Sequence, residues 1–546
     1  MRGRLGKILR RLAAGVLAPD SLDGGEKEEK GSFGPCLTAD LDENLEVLAG
    51  FLGRGPDLVV RRLEAGPPGR SLRAALLYLE GLVDTDLLGE SVLEPLLHRL
   101  SEKMAGRPAD RDLLDFLAGC VLTAASVKKL CVVGDIAGEI LRGGIALLVD
   151  RHPAALLASL AAFETRTVEE PTLETVIRGP KEGFTESIRT NLALLRRKIA
   201  HPGLRFTEVV LGRYTRTRVV VAHVEGIAGK ELVAEVLHRI SGIDIDGVID
   251  SGYVEQLIED APYSLFPTIG NTEKPDVVAA RLLEGKVAVL VDGSPVALTM
   301  PRLFYETIQT PEDYYSRPYN SSLIRLVRLS FLIVSVLLPA FYVAAVNFDP
   351  EMIPFKLVVT IAAAREGVPF PLVLEVVFFG VLFEGLREAG IRLPRPVGQA
   401  VTIVGALIIG TAAVDAGLVS SVTVIVTALV GIAGFITPGL ADVYIFSRIV
   451  LVLLSGLLGF FGLVLGVMFF YTHLCSLRSF GVPYMTPIAP AEYRGWKDVF
   501  VRAPLWMLDA RPPFLAKGNV RRMGPGAKPG PPRPPGERDT DGGSSS

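Results

Sequence analysis

The sequence predicts an α/β soluble N-terminal half, built as two similar α/β subdomains, followed by an all-α polytopic membrane domain. Three observations lead there. Charged residues run throughout positions 1–320, whereas 329–475 is a nearly continuous series of apolar runs. Within the charged half, two pairs of signatures recur at nearly the same separation. The apolar half carries acidic residues inside or beside stretches hydrophobic enough to enter a bilayer, where a carboxylate persists only against protein, water or an opposite charge.

Taken in chain order, residues 1–35 read as a disordered basic lead-in. Residues 1–16 are basic and weakly apolar, and Asp20–Lys30 is charged and glycine-rich. No long apolar core with a small-residue cleavage site follows, so no secretory signal is expected and the soluble half should stay in the cytosol. Residues 36–165 and 166–320 are the two predicted subdomains. Ala75–Leu88 is an apolar run, then Glu80-Gly81, then a helix start, and Val219–Val233 repeats the plan around Glu225-Gly226. Downstream, ALLVDRHPAALLA (146–158) and AVLVDGSPVALT (288–299) each read as two short strands around an Asp/Pro turn. Glu80 precedes Asp150 by 70 positions and Glu225 precedes Asp292 by 67, as expected of a duplicated unit.

Chemistry is hard to find in this half. With 546 residues the chain exceeds one core, but its net charge of −3 gives no support to nucleic-acid binding. Cys36, Cys120, Cys131 and Cys475 are too few and scattered for a disulfide framework or zinc site, and read as reduced structural thiols. The six histidines lack metal-ligand spacing. Asp244, Asp246 and Asp250 resemble a partial calcium loop, yet isoleucine and valine fill the gaps and no closing glutamate follows, so turns and caps are expected. No phosphate loop, nucleophile elbow or zinc-hydrolase motif is present. The expectation is a non-enzyme without cofactor or metal.

Residues 321–480 form the predicted membrane domain. Leu329–Phe348, Phe370–Leu386, Val401–Leu418, Val422–Ile436 and Ile449–His473 are five apolar runs, the last able to cross a core of about 30 Å with tilt. Met352–Ala364 is shorter and is expected to lie in the interface or dip into it. Arg325 and Arg328 before the block, and Arg478, Arg494, Lys497 and Arg502 after it, place both flanks in the cytosol. That requires an even number of crossings, so either one of the five runs is re-entrant, with the Val401–Ile436 pair the first candidate, or Met352–Ala364 contributes a partial crossing. Glu375, Glu384, Asp415 and Asp442 are the candidate ion-path or intersubunit residues. Glu375 is the better pore or partner-pairing candidate. Glu384, nine residues on and half a turn around, can pair with Arg387 instead. Gly456, Gly459, Gly462 and Gly466 recur on one helix face and predict close helix packing. Residues 481–515 are a cytosolic C-terminal segment, and 516–546 a disordered Pro/Gly-rich tail.

The chain resembles the spore germination protein A family, the A subunits of the nutrient germinant receptors of endospore-forming bacteria. The resemblance rests on GIDIDGVIDSGYVEQLIED (242–260), FPTIGNTEKPDVVAARLLEGKVAVLVDG (266–293) and QTPEDYYSRP (309–318). In the membrane half it rests on AAAREGVPFP (362–371), REAGIRLPRPVGQAVTIVGALIIG (387–410) and HLCSLRSFGVPYMTPIAP (473–490). With APLWML and RPPF it spans most of 40–515. Family members commonly carry a further acidic residue where this chain has Gly380. The resemblance implies a multi-pass protein of the spore inner membrane, its soluble half facing the core. It implies homo-oligomerisation, assembly with a transporter-like B subunit and a lipoprotein C subunit, and ion conduction on nutrient binding. A paralogue assisting dipicolinate release, a stand-alone secondary transporter and a non-conducting scaffold are the alternatives.

Overall fold

The computed structural model describes residues 34–530 apart from 66–71, 101–112, 125, 162–170, 172, 173, 175, 177, 394–407, 409, 435, 437–440, 494, 517 and 525–527. The expected lead-in up to residue 33, the end of the tail, the first part of the third apolar run and the Asp442 side chain lie outside the described residues.

Apolar runs that can bury both faces form the centre of each sheet. In the first subdomain β1 (Leu58–Ala65), β2 (Leu72–Leu79), β3 (Val127–Leu130), β4 (Gly144–Val149) and β5 (Ala155–Ser159) pair antiparallel in the order β1-β2-β4-β5-β3. In the second, β6 (Leu204–Leu211), β7 (Thr217–Val224), β8 (Gly270–Thr272), β9 (Val287–Val291) and β10 (Ala297–Met300) take the order β6-β7-β9-β10-β8. The two orders are the same. Glu80 follows β2 as Glu225 follows β7, and Asp150 follows β4 as Asp292 follows β9. The duplication read from the sequence is therefore a duplication of topology.

Helices cover both faces, which is why β4 and β9 are buried along their whole length. The first sheet carries α1 (Leu41–Leu52) and α2 (Val133–Ile140) on one face and short helical segments at 85–99 and 113–121 on the other. The second carries α3 (Ile188–Lys198), α4 (Lys230–Ser241), α5 (Ser251–Ile258) and α6 (Pro275–Leu283). There, α3 and α6 share one face, α4 and α5 the opposite one. Asp250 caps α5 by accepting from Gly252 N at 3.0 Å, and Asp244 pairs with Arg213 at 2.6 Å, so the three-aspartate stretch serves a cap and a surface pair. The cysteines are less scattered than expected: an antiparallel bridge brings Cys36 Sγ to 3.9 Å from Cys131 Sγ.

The helical half consists of α7 (Pro318–Asn347), α8 (Phe355–Arg365), α9 (Leu372–Arg392), α10 (Ser421–Gly434) and α11 (Ala441–Ser476). Both α7 and α11 contain stretches long and apolar enough to cross a membrane, with mean hydropathy 2.4 and 2.6. The long fifth run is not one helix. Gly459 has φ 61° and ψ −142°, a conformation open to glycine, and there the chain turns back on itself. A Cβ on Gly462 would collide with the Leu454 carbonyl, and one on Gly466 with Leu451, contacts that only an antiparallel hairpin brings about. The arms are 441–458 and 460–476, each about 26 Å long.

This break falls in the fifth run, while much of the Val401–Ile436 pair where one is expected lies outside the described residues. Gly459 sits against Phe348 at the end of α7, and Gly456 against Val373 at the start of α9. Ser420, before α10, meets Glu375 near the start of α9. Gly431, late in α10, meets Phe383, late in α9. Among the described residues, α9 runs against α7, α10 runs parallel to α9, and the two arms of α11 run against each other. The beginning of α7 and the end of the second arm therefore share one end, beside the second α/β subdomain, where Ser264 Oγ lies 2.9 Å from His473 Nε2.

The chain after α11 folds back over that subdomain. Phe480 enters the core under α4 and α5, and Ala516, fully buried, enters the core under α3 and α6. Arg522 pairs with Glu284 at 3.1 Å, so the described start of the expected disordered tail is packed.

Candidate functional site

Glu375 lies one turn into α9, and its side chain is fully buried. Its Oε1 accepts from Ser420 N at 2.6 Å, and its Oε2 is 3.7 Å from Arg365 Nε of α8. Ser420 opens α10, its Oγ accepting from Thr423 N at 3.3 Å and lying 3.0 Å from Thr423 Oγ1. Glu375 thus closes a helix N-terminus, where a carboxylate is favoured by unpaired N–H groups and the dipole. Glu375 Oε2 and Arg365 Nε are buried without a hydrogen bond. Each orphan of this kind costs about 1–3 kcal/mol. Within this chain Arg365 supplies a cationic neighbour for Glu375, and the carboxylate is buried against protein. Three elements, α8, α9 and α10, are tied together here through one carboxylate.

Glu384 is at the opposite end of α9. It forms an ion pair with Arg387, and the two line a crevice of about 370 Å³ between α9 and the first arm of α11, together with Arg448. The half-turn between the carboxylates sends Glu375 towards α10 and Glu384 towards α11. Asp415 is exposed at the turn before Ser420 and joins neither. Of the four glycines, Gly459 makes the hairpin turn, Gly462 and Gly466 allow its arms to meet, and Gly456 admits Val373 of α9. They serve two contacts and a turn, not one face of one helix.

A further cluster, missed from the sequence, joins the two halves. Asp313, nearly fully buried, accepts from Arg325 Nε at 2.8 Å and from Arg328 at 2.8 and 3.0 Å. Arg325 also donates to Asp498 Oδ1 at 2.8 Å, and the Tyr314 hydroxyl donates to Asp498 Oδ2 at 2.7 Å. Burial alone would raise the Asp313 carboxyl, but the hydrogen bonds from Arg328 and Arg325 hold it below the usual aspartate range. Burial, then the charge of Asp498, lifts the Tyr314 phenol well above its ordinary value. Arg502 adds a bond to Ser316 O at 3.1 Å, and its own N–H donates to Ser322 Oγ at 3.1 Å. The first turns of α7 are thereby bolted to the chain on both sides of it. Spacing gave one clue: Arg325 and Arg328, three apart, share a helix face that begins beside an acidic turn.

Comparison with known proteins follows the same outline. Residues 46–514 match the family model described as Bacillus/Clostridium GerA spore germination protein. Spore germination protein KA of Bacillus subtilis (strain 168) is 41% identical over 508 residues, covering 93% of this chain and 91% of that protein. Spore germination protein GerLA of Bacillus cereus is 39% identical, covering 88% and 96%. Among solved structures, the N-terminal domain of the A subunit of the Bacillus megaterium spore germinant receptor GerK3 is 36% identical with a TM-score of 0.40, covering 50% of this chain and 98% of that one.

Proposed function

The chain belongs to the GerA family of spore germination proteins, and from that premise we propose that it is the A subunit of a nutrient germinant receptor. Copies assemble with a transporter-like B subunit and a lipoprotein C subunit in the spore inner membrane, and conduct ions when nutrient binds. The helical half crosses the membrane six times, with the soluble half and 477–516 on the core side. An even count agrees with the basic residues on both flanks.

The observation that carries the conducting role is the buried Glu375–Arg365–Ser420 group. It is an expensive charge pair at the membrane's outer side, holding α8, α9 and α10 with two polar atoms unsatisfied. Such a pair acts as a closure, which nutrient binding elsewhere in the complex releases. Salt bridges of this kind stabilise little and specify arrangement.

The test is conductance in planar bilayers of the chain assembled with its B- and C-type partners. Nutrient should evoke a cation current in the wild type. Glu375→Gln, which frees Arg365, should raise current without nutrient while pull-down of the partners is unchanged. An assembled complex with no nutrient-dependent current, or a variant with wild-type gating, counts against the reading.

A further inference from the structure

The crevice between α9 and the first arm of α11 has a graded lining. Its walls are Val376, Val377, Val381, Ile449 and Val452, and its end nearest the soluble half carries Glu384, Glu388, Arg387 and Arg448. Arg387 lies about 8 Å from the end of α9, and Arg448 about 10 Å from the start of α11, so both reach the same depth. Two carboxylates meet three guanidiniums: Glu384 pairs with Arg387, Glu388 pairs with Arg392, and among the described residues Arg448 has no ion pair. The Nε atoms of both Arg448 and Arg387 are buried without a hydrogen bond. Nothing lies within 4 Å of where a Cβ on Gly380 would point, so glycine there keeps the crevice open.

We propose that this crevice binds an anionic phospholipid, its phosphate between Arg448 and Arg387 and an acyl chain along the valine and isoleucine walls. The inference rests on the reading of the helical half as membrane-spanning. A surplus positive charge at bilayer depth requires an anion, and basic pockets between helices at the cytoplasmic side take acidic headgroups. An apolar chain suits the rest of the lining. A second copy of this protein suits it less. Among the described side chains at this depth, three arginines (387, 392 and 448) meet two carboxylates (384 and 388), and a copy in the same orientation brings the same surplus.

The experiment uses the full chain in nanodiscs of phosphatidylcholine doped with phosphatidylglycerol, with lipid retained after delipidation read by native mass spectrometry. Phosphatidylglycerol should be retained over phosphatidylcholine. Arg448→Gln, which keeps the crevice, and Gly380→Leu, which fills it and keeps the charges, should each lower that retention roughly fivefold, the weight of one arginine near an anionic headgroup. Glycerol phosphate should not displace the lipid. Equal retention of the two lipids, or retention unchanged in either variant, overturns the proposal. So does displacement by glycerol phosphate, which would make this a free-anion site, or a cross-linked pair of copies that Arg448→Gln dissociates. Alkaline carbonate extraction of the same preparations tests the spanning reading separately: release of the protein from membranes refutes that premise whatever the lipid result.

Discussion

The two α/β subdomains share a scaffold down to single hydrogen bonds, and differ in what they hold outside it. Thr38 N donates to Asn44 Oδ1 at 2.8 Å and Asn44 Nδ2 to Thr38 O at 2.7 Å, and Thr185 and Asn191 repeat both bonds at 2.8 and 2.6 Å. Leu37 N donates to Cys131 O as Phe184 N does to Glu273 O, both at 2.7 Å. Asp150 N donates to Arg73 O as Asp292 N does to Arg218 O, both at 2.9 Å. Backbone bonds and one buried asparagine define the common unit, because these are the groups that cannot be left unpaired. The side chains that face away from the unit are where the copies part, and they assign each copy its neighbour.

The strongest difference is a salt bridge between the copies. Arg196 of α3 donates to Asp57 Oδ2 at 2.8 Å, with both side chains almost wholly buried. It also donates to Leu204 O at 2.9 Å and stacks 4.6 Å from the Phe206 ring. In the shared frame Asp57 corresponds to Gly203 and Arg196 to Ala49, so each copy supplies one partner and lacks the other. Removing one member leaves a buried charge alone. Arg196→Ala should therefore destabilise the soluble half by about 3–5 kcal/mol, whereas the double change Arg196→Met with Asp57→Leu should recover most of that. Chemical unfolding of the three proteins followed by tryptophan-independent circular dichroism decides it. Equal losses in single and double variants would show that the pair does not link the copies.

Among the described residues it is the second copy that meets the helical half, through Ser264 with His473 and through Asp313 with Arg325 and Arg328. Asp313→Asn should loosen that contact by about 3 kcal/mol, since it leaves two arginines short of a counter-charge. Proteolysis at the base of α7 should accelerate while the first subdomain keeps its protection. The pH dependence has a definite sign. A carboxyl held below its unfolded value stabilises above the unfolded aspartate pKa, about 3.9, and loses that contribution as pH falls through its lower folded value. The junction should thus survive mild acid at about pH 5 and open only well below pH 4, a dependence that Asp313→Asn abolishes. Opening of the wild type near neutral pH would contradict the assignment.

What the sequence disclosed follows from how locally each feature is encoded. Apolar strands ending in Glu-Gly or Asp, repeated at similar spacing, are short-range signals, and the common strand order could be read from them. The Thr38/Asn44 and Thr185/Asn191 spacing was equally available and would have fixed the register of the repeat. The hairpin in α11 was not legible from hydropathy, because its turn is made of the same apolar residues as its arms. Glycines at 456, 459, 462 and 466 fit a packed helix face as well as a turn, and only Gly459 takes the left-handed conformation. For Glu375, an apolar setting announced that its charge must be matched, but the match at Arg365 depends on how α8 folds against α9 and α10. Asp313 and Asp498 lie 185 positions apart and meet across Arg325, a relation no window along the chain contains.

The smallest expected effect is also the cleanest comparison of the copies. After Asp150 and Asp292 the chain takes the same left-handed turn, at Arg151 with φ 63° and at Gly293 with φ 86°. The turn is anchored alike: Arg151 N donates to Ala39 O and Gly293 N to Glu186 O, both at 2.8 Å. Arg151 is exposed, and a Cβ at Gly293 would meet nothing within 4 Å, so neither site is decided by crowding. What remains is the backbone preference, roughly 1–2 kcal/mol against a left-handed residue with a Cβ, less the extra freedom glycine gives the unfolded chain. Arg151→Gly should then stabilise the first copy by about 0.5–1 kcal/mol, and Gly293→Arg should destabilise the second by a similar amount. Hydrogen exchange at β4–β5 and β9–β10 reads the two copies separately in one protein. Opposite shifts in the two sheets support a shared turn. A loss of protection in the first sheet on Arg151→Gly would mean that the arginine side chain holds this turn, and that the copies differ here in mechanism and not only in residue.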